Sequence, residues 1–225
     1  MKGRRTRSTS SWTALLQRFY APTGLAVPAL EELKGAEVPL PYQSLLVHSW
    51  DMTPTLTRFY GQPLRLRVFG REHVHNIYKR EVILWLTEDG RPVEYGVIRI
   101  HLDRLPLSAQ RLILQEERPL GDILQSEAIP HLSWPQAFFR LKADAHTGSA
   151  LALSRPSLLY GRRNVLLDGS RQLFADVIEV LAPVAETKVA AGRDDRERQA
   201  TASSDSFAGA NHRRLGQLRL SKVRA

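Results

Sequence analysis

Arg80 and Glu179 are the residues of this 225-residue chain whose types and positions point most directly to chemistry. Each sits inside a run that reads as a β-strand: Tyr78-Lys79-Arg80-Glu81-Val82-Ile83-Leu84-Trp85, and Leu173-Phe174-Ala175-Asp176-Val177-Ile178-Glu179-Val180-Leu181. Side chains alternate along a strand, so Arg80 shares a face with Tyr78, Val82, Leu84 and Leu86. By the same alternation Glu179 shares a face with Leu173, Ala175, Val177 and Leu181. A lone charge on an apolar face is costly unless something pairs with it. One buried cation and one buried carboxylate therefore form an internal ion pair or await a polar ligand. An arginine can grip a planar carboxylate with two parallel hydrogen bonds, and a carboxyl on an apolar face can act as general acid or base.

Two corners stand beside these strands. Met52 precedes Thr53-Pro54, where Thr reads as a helix cap and Pro as the first helical residue, with Gly61 as the stop; the helix is expected over 54–60. Leu120, in Arg118-Pro119-Leu120-Gly121, precedes a second helix start. Helix starts leave backbone N–H groups unpaired and favour an anion, although a corner with an inward apolar residue is also what any helix pair requires. His73-Val74-His75 has the spacing of some metal sites but lacks a third ligand, so no metal is expected. In Gly161-Arg162-Arg163 the two arginines point to opposite faces, so at most one can serve a site. Lys79 and Glu81 lie opposite Arg80 and read as a solvated or cross-strand pair, and Asp176 reads as structural.

The elements that must position these residues are legible as alternation and turn signals. A short amphipathic helix is expected over 12–20, a helical turn set over 42–50, and strands over 64–69, 77–87 and 92–101, the last two joined through Asp89-Gly90. Helices are expected over 108–117 and from 121, strands over 137–143 and 149–154, and a last hairpin of 163–168 and 171–181 around Asp168-Gly169. Strands joined by tight turns, with helices inserted, imply an antiparallel α+β domain.

Charge divides the chain. Residues 1–11 carry +4, residues 184–225 carry +4, and the stretch between them only +1 of the total +9. The expected division is a disordered basic N-terminus (1–11), one folded domain (12–183) and a disordered basic tail (184–225). The basicity belongs to the ends, so no specific nucleic-acid binding is expected of the domain. The absence of cysteine excludes disulfides, thiolate metal sites and a cysteine nucleophile. No apolar run approaches the roughly 20 residues that span a bilayer, and the N-terminus has no secretory apolar core. Its Arg/Ser/Thr-rich opening, with no acid before Glu31, also occurs in organelle leaders, but a cytoplasmic protein is expected.

The order of the pieces carries a resemblance. Leu45-Leu46-Val47-His48, Asp51-Met52-Thr53-Pro54-Thr55-Leu56-Thr57-Arg58-Phe59, Tyr78-Lys79-Arg80-Glu81-Val82, Pro119-Leu120-Gly121, Tyr160-Gly161-Arg162-Arg163 and Asp176-Val177-Ile178-Glu179-Val180-Leu181-Ala182-Pro183 together resemble the chorismate–pyruvate lyase family over residues 40–183. The resemblance implies an antiparallel sheet with helices packed on one side and two helix-turn-helix flaps over a buried ligand pocket. It implies elimination of pyruvate from chorismate to leave 4-hydroxybenzoate or an isomer, without metal or cofactor, by a monomer serving ubiquinone biosynthesis or specialised metabolism. Arg80 would hold the ring carboxylate, Glu179 the far end of the ring with a part in proton transfer, and backbone groups of Met52 and Leu120 would close over the ligand. The chain departs from the family in its longer tails, in Lys79 and in an insert-like segment around 126–137. The same fold also resembles the effector-binding domain of bacterial transcription regulators, which hold small anions without turning them over. Those carry a winged-helix domain in front, for which about 40 preceding residues are too few.

Overall fold

A computed structural model describes residues 13–184. The basic N-terminus 1–11 and nearly all of the tail 184–225 lie outside the described residues. Seven strands form one antiparallel sheet: β1 (Glu31–Leu33), β2 (Leu64–Val74), β3 (Ile77–Leu86), β4 (Pro92–His101), β5 (Leu132–Lys142), β6 (Leu158–Leu167) and β7 (Leu173–Leu181). Their spatial order is β1-β5-β6-β7-β4-β3-β2. The closing strand β7 thus sits at the centre, with β6 on one side and β4 on the other. Arg80 pairs with Ile98, Glu179 pairs with Gly96 and Arg162, and Glu94 pairs with Leu84 and Leu181. Matched alternation on these four strands puts Arg80, Glu94, Arg162 and Glu179 on one face.

Six helices accompany the sheet: α1 (Thr13–Tyr20), α2 (Tyr42–Leu46), α3 (Met52–Tyr60), α4 (Leu107–Gln115), α5 (Leu120–Ser126) and α6 (Ala145–Ala150). The fold is α+β, and helices α2 to α5 gather on the face that carries Arg80 and Glu179. There Leu45, Leu46 and Leu56 pack on Leu84, Leu86 and Leu181, while Ile113, Ile123 and Leu124 pack on Ile98, Ile100 and Val177. On the other face α1 lays Leu15, Leu16, Phe19 and Tyr20 against Tyr95, Val97, Ile178 and Val180.

Several expectations shift. The helix after Asp51 starts at Met52, so Thr53 is inside it rather than its cap, and Pro54 sits in the first turn, where its missing N–H costs nothing. Gly61 stops it with φ 71°. The strand expected over 149–154 is absent. The Asp144 carboxylate accepts from the Thr147 backbone N–H at 2.8 Å, and the Thr147 hydroxyl receives the Asp144 N–H at 3.1 Å, a capping box that starts α6 instead. Half of the insert-like segment is the start of β5, which begins at Leu132, and the rest is the end of α5 and its connection. His73 lies within β2, which ends at Val74, while His75 turns the chain at φ 51°, so the two imidazoles do not share a strand face.

Candidate functional site

Met52, Arg80, Leu120 and Glu179 line one cavity beneath the α3 and α5 starts, with about 580 Å³ free of protein atoms, part of it open to solvent. Val82 and Leu84 of β3, Gly96 and Ile98 of β4, Leu166 of β6 and Val177 of β7 supply apolar walls. Polar groups enter at few points, the composition of a site for a small organic ligand.

The two flaps meet closely. A Cβ added at Gly121 would lie 2.9 Å from Thr53 Oγ1 and 3.0 Å from Thr53 Cβ, so only glycine lets α5 approach α3 this way. Neither helix start carries a side-chain cap, which leaves first-turn amides at Met52 and Leu120 for other partners. Asp51, the residue before α3, instead accepts from His131 Nε2 at 2.9 Å, and His131 Nδ1 donates to the Ile129 carbonyl at 2.8 Å. Both partners are acceptors, which favours the charged imidazole, and the Asp51 hydrogen bond raises its pKa.

Arg80 is 1% exposed, yet its Nε and Nη1 have no hydrogen-bond partner. Burial draws its pKa below the ordinary arginine value, with Tyr78 and Glu116 pulling the other way. Glu116, at the left-handed end of α4, accepts from the Tyr78 hydroxyl and, at 2.6 Å, from Arg71. A guanidinium remains charged even here, so two buried cationic donors face a cavity without an acceptor.

The internal Arg80–Glu179 pair does not form. Glu179 is taken by Arg162, whose Nε donates to Glu179 Oε2 at 2.5 Å. The remaining Arg162 nitrogens donate to the carbonyls of Leu46 at 3.2 Å, His48 at 3.0 Å and Trp50 at 3.0 Å. Arg162 therefore orients Glu179 and fastens the corner before α3 to the sheet. His48, whose Nε2 donates to the Leu45 carbonyl at 2.7 Å, has its pKa lowered by burial and by Arg162. Of the adjacent arginines, Arg163 points away and binds Asp176 at 2.9 Å, and Arg99 binds the same carboxylate at 3.0 Å, so Asp176 is structural as expected. Gly161 makes room for this strand: a Cβ there would press the Phe139 ring at 2.8 Å and the Glu179 carbonyl at 2.5 Å.

Two buried acids escaped the sequence reading. Glu94 lines the cavity, and its Oε2 is buried without a partner. Burial, and then the charge of Glu179, push its carboxyl well above the ordinary range, against a weaker pull from Arg162. In Val93-Glu94-Tyr95-Gly96-Val97 it is a charge within an apolar strand, the same signal that marked Arg80. Glu81, expected as a solvated or cross-strand group, is 4% exposed on the opposite face and accepts from Tyr95 at 2.7 Å and His146 at 2.5 Å. Helices α1 and α6 cover it. Lys79 does form the cross-strand pair, but with Glu72 at 2.9 Å. Asn164, also on the cavity wall, donates to Ser133 and keeps a buried carbonyl oxygen unpaired.

No protein-family model matches the sequence, and no curated protein does. Similar solved structures include PhnF from Mycobacterium smegmatis, at 13% identity and a TM-score of 0.48 over 75% of this chain and 92% of that one. The effector domain of the same protein gives 13% and 0.44 over 58% and 87%. A GntR-family transcriptional regulator from Bacillus cereus gives 12% and 0.41 over 55% and 96%. At such scores and identities the likenesses carry no functional argument, and the antiparallel fold rests on the chain's own strand pairing. Among the described residues no helix is long and apolar enough to cross a membrane, and no cluster of His, Asp and Glu could hold a metal ion.

Proposed function

We propose that this chain binds a small aromatic carboxylic acid in the cavity beneath α3 and α5. Arg80 holds the carboxylate, Val82, Ile98 and Leu166 contact the ring, and Glu179 meets a hydroxyl at the far end. First-turn amides of Met52 and Leu120 close the flaps. The observation that carries this reading is Arg80 itself, a fully buried guanidinium with Nε and Nη1 unpaired at a cavity wall. A buried cation persists only with an anionic or strongly accepting partner, and a planar carboxylate matches its donor fork. The apolar walls favour a flat hydrocarbon body over a phosphate or a sugar acid.

A second reading, chorismate–pyruvate lyase, is favoured by the convergence on this one cavity of all four residues that the resemblance marked. Elimination removes a proton from the ring carbon that bears the hydroxyl, breaks the bond to the enolpyruvyl oxygen and aromatises the ring. In this reading Glu179 assists that proton transfer, and aromatisation supplies the driving force. Incubation of the full chain with chorismate, with pyruvate and hydroxybenzoate followed together, separates the two readings. Equal release of both products establishes the lyase. Tight binding of 4-hydroxybenzoate without turnover establishes the binding domain, and the absence of both binding and turnover overturns both readings.

A further inference from the structure

We propose that Glu94 sets the ligand specificity of this cavity: it meets the far end of the bound acid as an uncharged carboxyl that donates a hydrogen bond. The site then takes an aromatic monocarboxylate with a neutral oxygen opposite the carboxylate, and refuses a second carboxylate there. This deepens the binding reading above and rests on it.

The geometry leaves Glu94 without a counter-charge bound to it. It is 4% exposed on β4, next to the central strand, and lines the cavity, with Oε2 unpartnered. Its diagonal neighbour across the β4–β7 pairing is Glu179, which lies opposite Gly96, a relation that spans about 7–8 Å. The nearest guanidinium, Arg162, spends its nitrogens on Glu179 and on the carbonyls of Leu46, His48 and Trp50, and no hydrogen bond runs from it to Glu94. Arg80 lies opposite Ile98, four residues along β4, roughly 13 Å by strand rise. Other ionisable groups at this face include Asp51, which is bound to His131, His48, which is shifted toward neutrality, and Tyr78 and Glu116, which are bound to each other beside Arg80. An ionised Glu94 would thus be a second carboxylate beside one fully engaged arginine. A buried acid in that position keeps its proton, and the upward shift of its carboxyl agrees.

A protonated carboxyl is a donor, and Glu179 beside it, which accepts from Arg162, is an acceptor. Together they match a phenolic oxygen, which can accept from Glu94 and donate to Glu179. A carboxylate placed there would face Glu179 with no cation free to receive it. The cavity is therefore polarised, cationic at Arg80 and hydrogen-bonding without free positive charge at the far end.

Titration calorimetry of 4-hydroxybenzoate, benzoate and terephthalate into the full chain, between pH 6 and pH 9, tests this. Wild type should prefer 4-hydroxybenzoate over terephthalate by about a hundredfold or more across this range. Glu94→Ala should weaken 4-hydroxybenzoate about tenfold, the loss of one buried hydrogen bond, while benzoate changes less than about threefold on the same scale. Glu94→Gln, a neutral donor of the same shape, should rescue most of that loss. The assignment of Glu94 is overturned alone if wild type binds 4-hydroxybenzoate but binds terephthalate as well, or if Gln is as damaging as Ala. Failure of all three acids to bind wild type overturns the binding reading itself.

Discussion

Replacing Arg80 by methionine should stabilise the unliganded protein while removing its affinity for aromatic acids. The guanidinium is 1% exposed and two of its three nitrogens are unpaired. Each buried unsatisfied donor costs about 1–3 kcal/mol. Methionine keeps most of the apolar stem, so a net gain of about 2 kcal/mol is expected after some packing is lost. For a domain of this size 1 kcal/mol moves the melting temperature by about 2–4 °C, which gives a rise of roughly 4–8 °C. A structural arginine behaves in the opposite way, because breaking a buried ion pair costs about 3–5 kcal/mol. Paired thermal and urea unfolding of wild type and Arg80→Met, without ligand, distinguishes the two. A variant that melts several degrees lower, or that still binds 4-hydroxybenzoate with wild-type affinity, refutes the assignment of Arg80 as an anion anchor.

Arg162 should show the contrast. Arg162→Met leaves Glu179 and three corner carbonyls unpaired, and urea unfolding should report a loss of about 3–5 kcal/mol or failure to fold. Gly121→Ala gains about 1 kcal/mol of helix propensity but drives a methyl to 2.9 Å from Thr53 Oγ1. The flaps should separate, and calorimetry should report weaker 4-hydroxybenzoate binding with little change in melting temperature. His131 has its pKa raised by the Asp51 hydrogen bond. Its contribution is therefore fully present below its unfolded pKa of about 6.5 and lost as pH rises through the higher folded value. Unfolding followed from pH 5.5 to pH 9 should show that decline in wild type and not in His131→Gln.

Much of the fold was legible because the elements that build it obey simple periods. The strands β3, β4 and β7 are largely apolar runs of nine or ten residues, buried almost throughout, and Asp89-Gly90 places its glycine at φ 66°, as a tight hairpin requires. The charges Arg80 and Glu179 stood out because their strand neighbours are apolar. What escaped depends on contacts between distant segments. Arg162 and Arg163 are indistinguishable in sequence, and only the register opposite Glu179 turns the first inward. The face of Glu81 reads as solvated until α1 and α6 are seen to cover it, and nothing in local pattern announces that. The helix at 145–150 was missed for a different reason: Ala-His-Thr-Gly-Ser-Ala has no hydrophobic period, and its start is fixed by Asp144 and Thr147. Glu94 was the avoidable omission, since it met the same criterion as its neighbour Arg80.

Comparing 4-hydroxybenzoate with 4-hydroxybenzamide, titrated into the same full-length protein, isolates the carboxylate while holding ring and hydroxyl fixed. If Arg80 is an anion anchor, the acid should bind about a hundredfold more tightly than the amide, consistent with one or two charge-assisted hydrogen bonds. That preference should collapse in Arg80→Met. Equal affinity of wild type for acid and amide, or an acid preference that survives in Arg80→Met, would contradict the reading of this cavity as a carboxylate site.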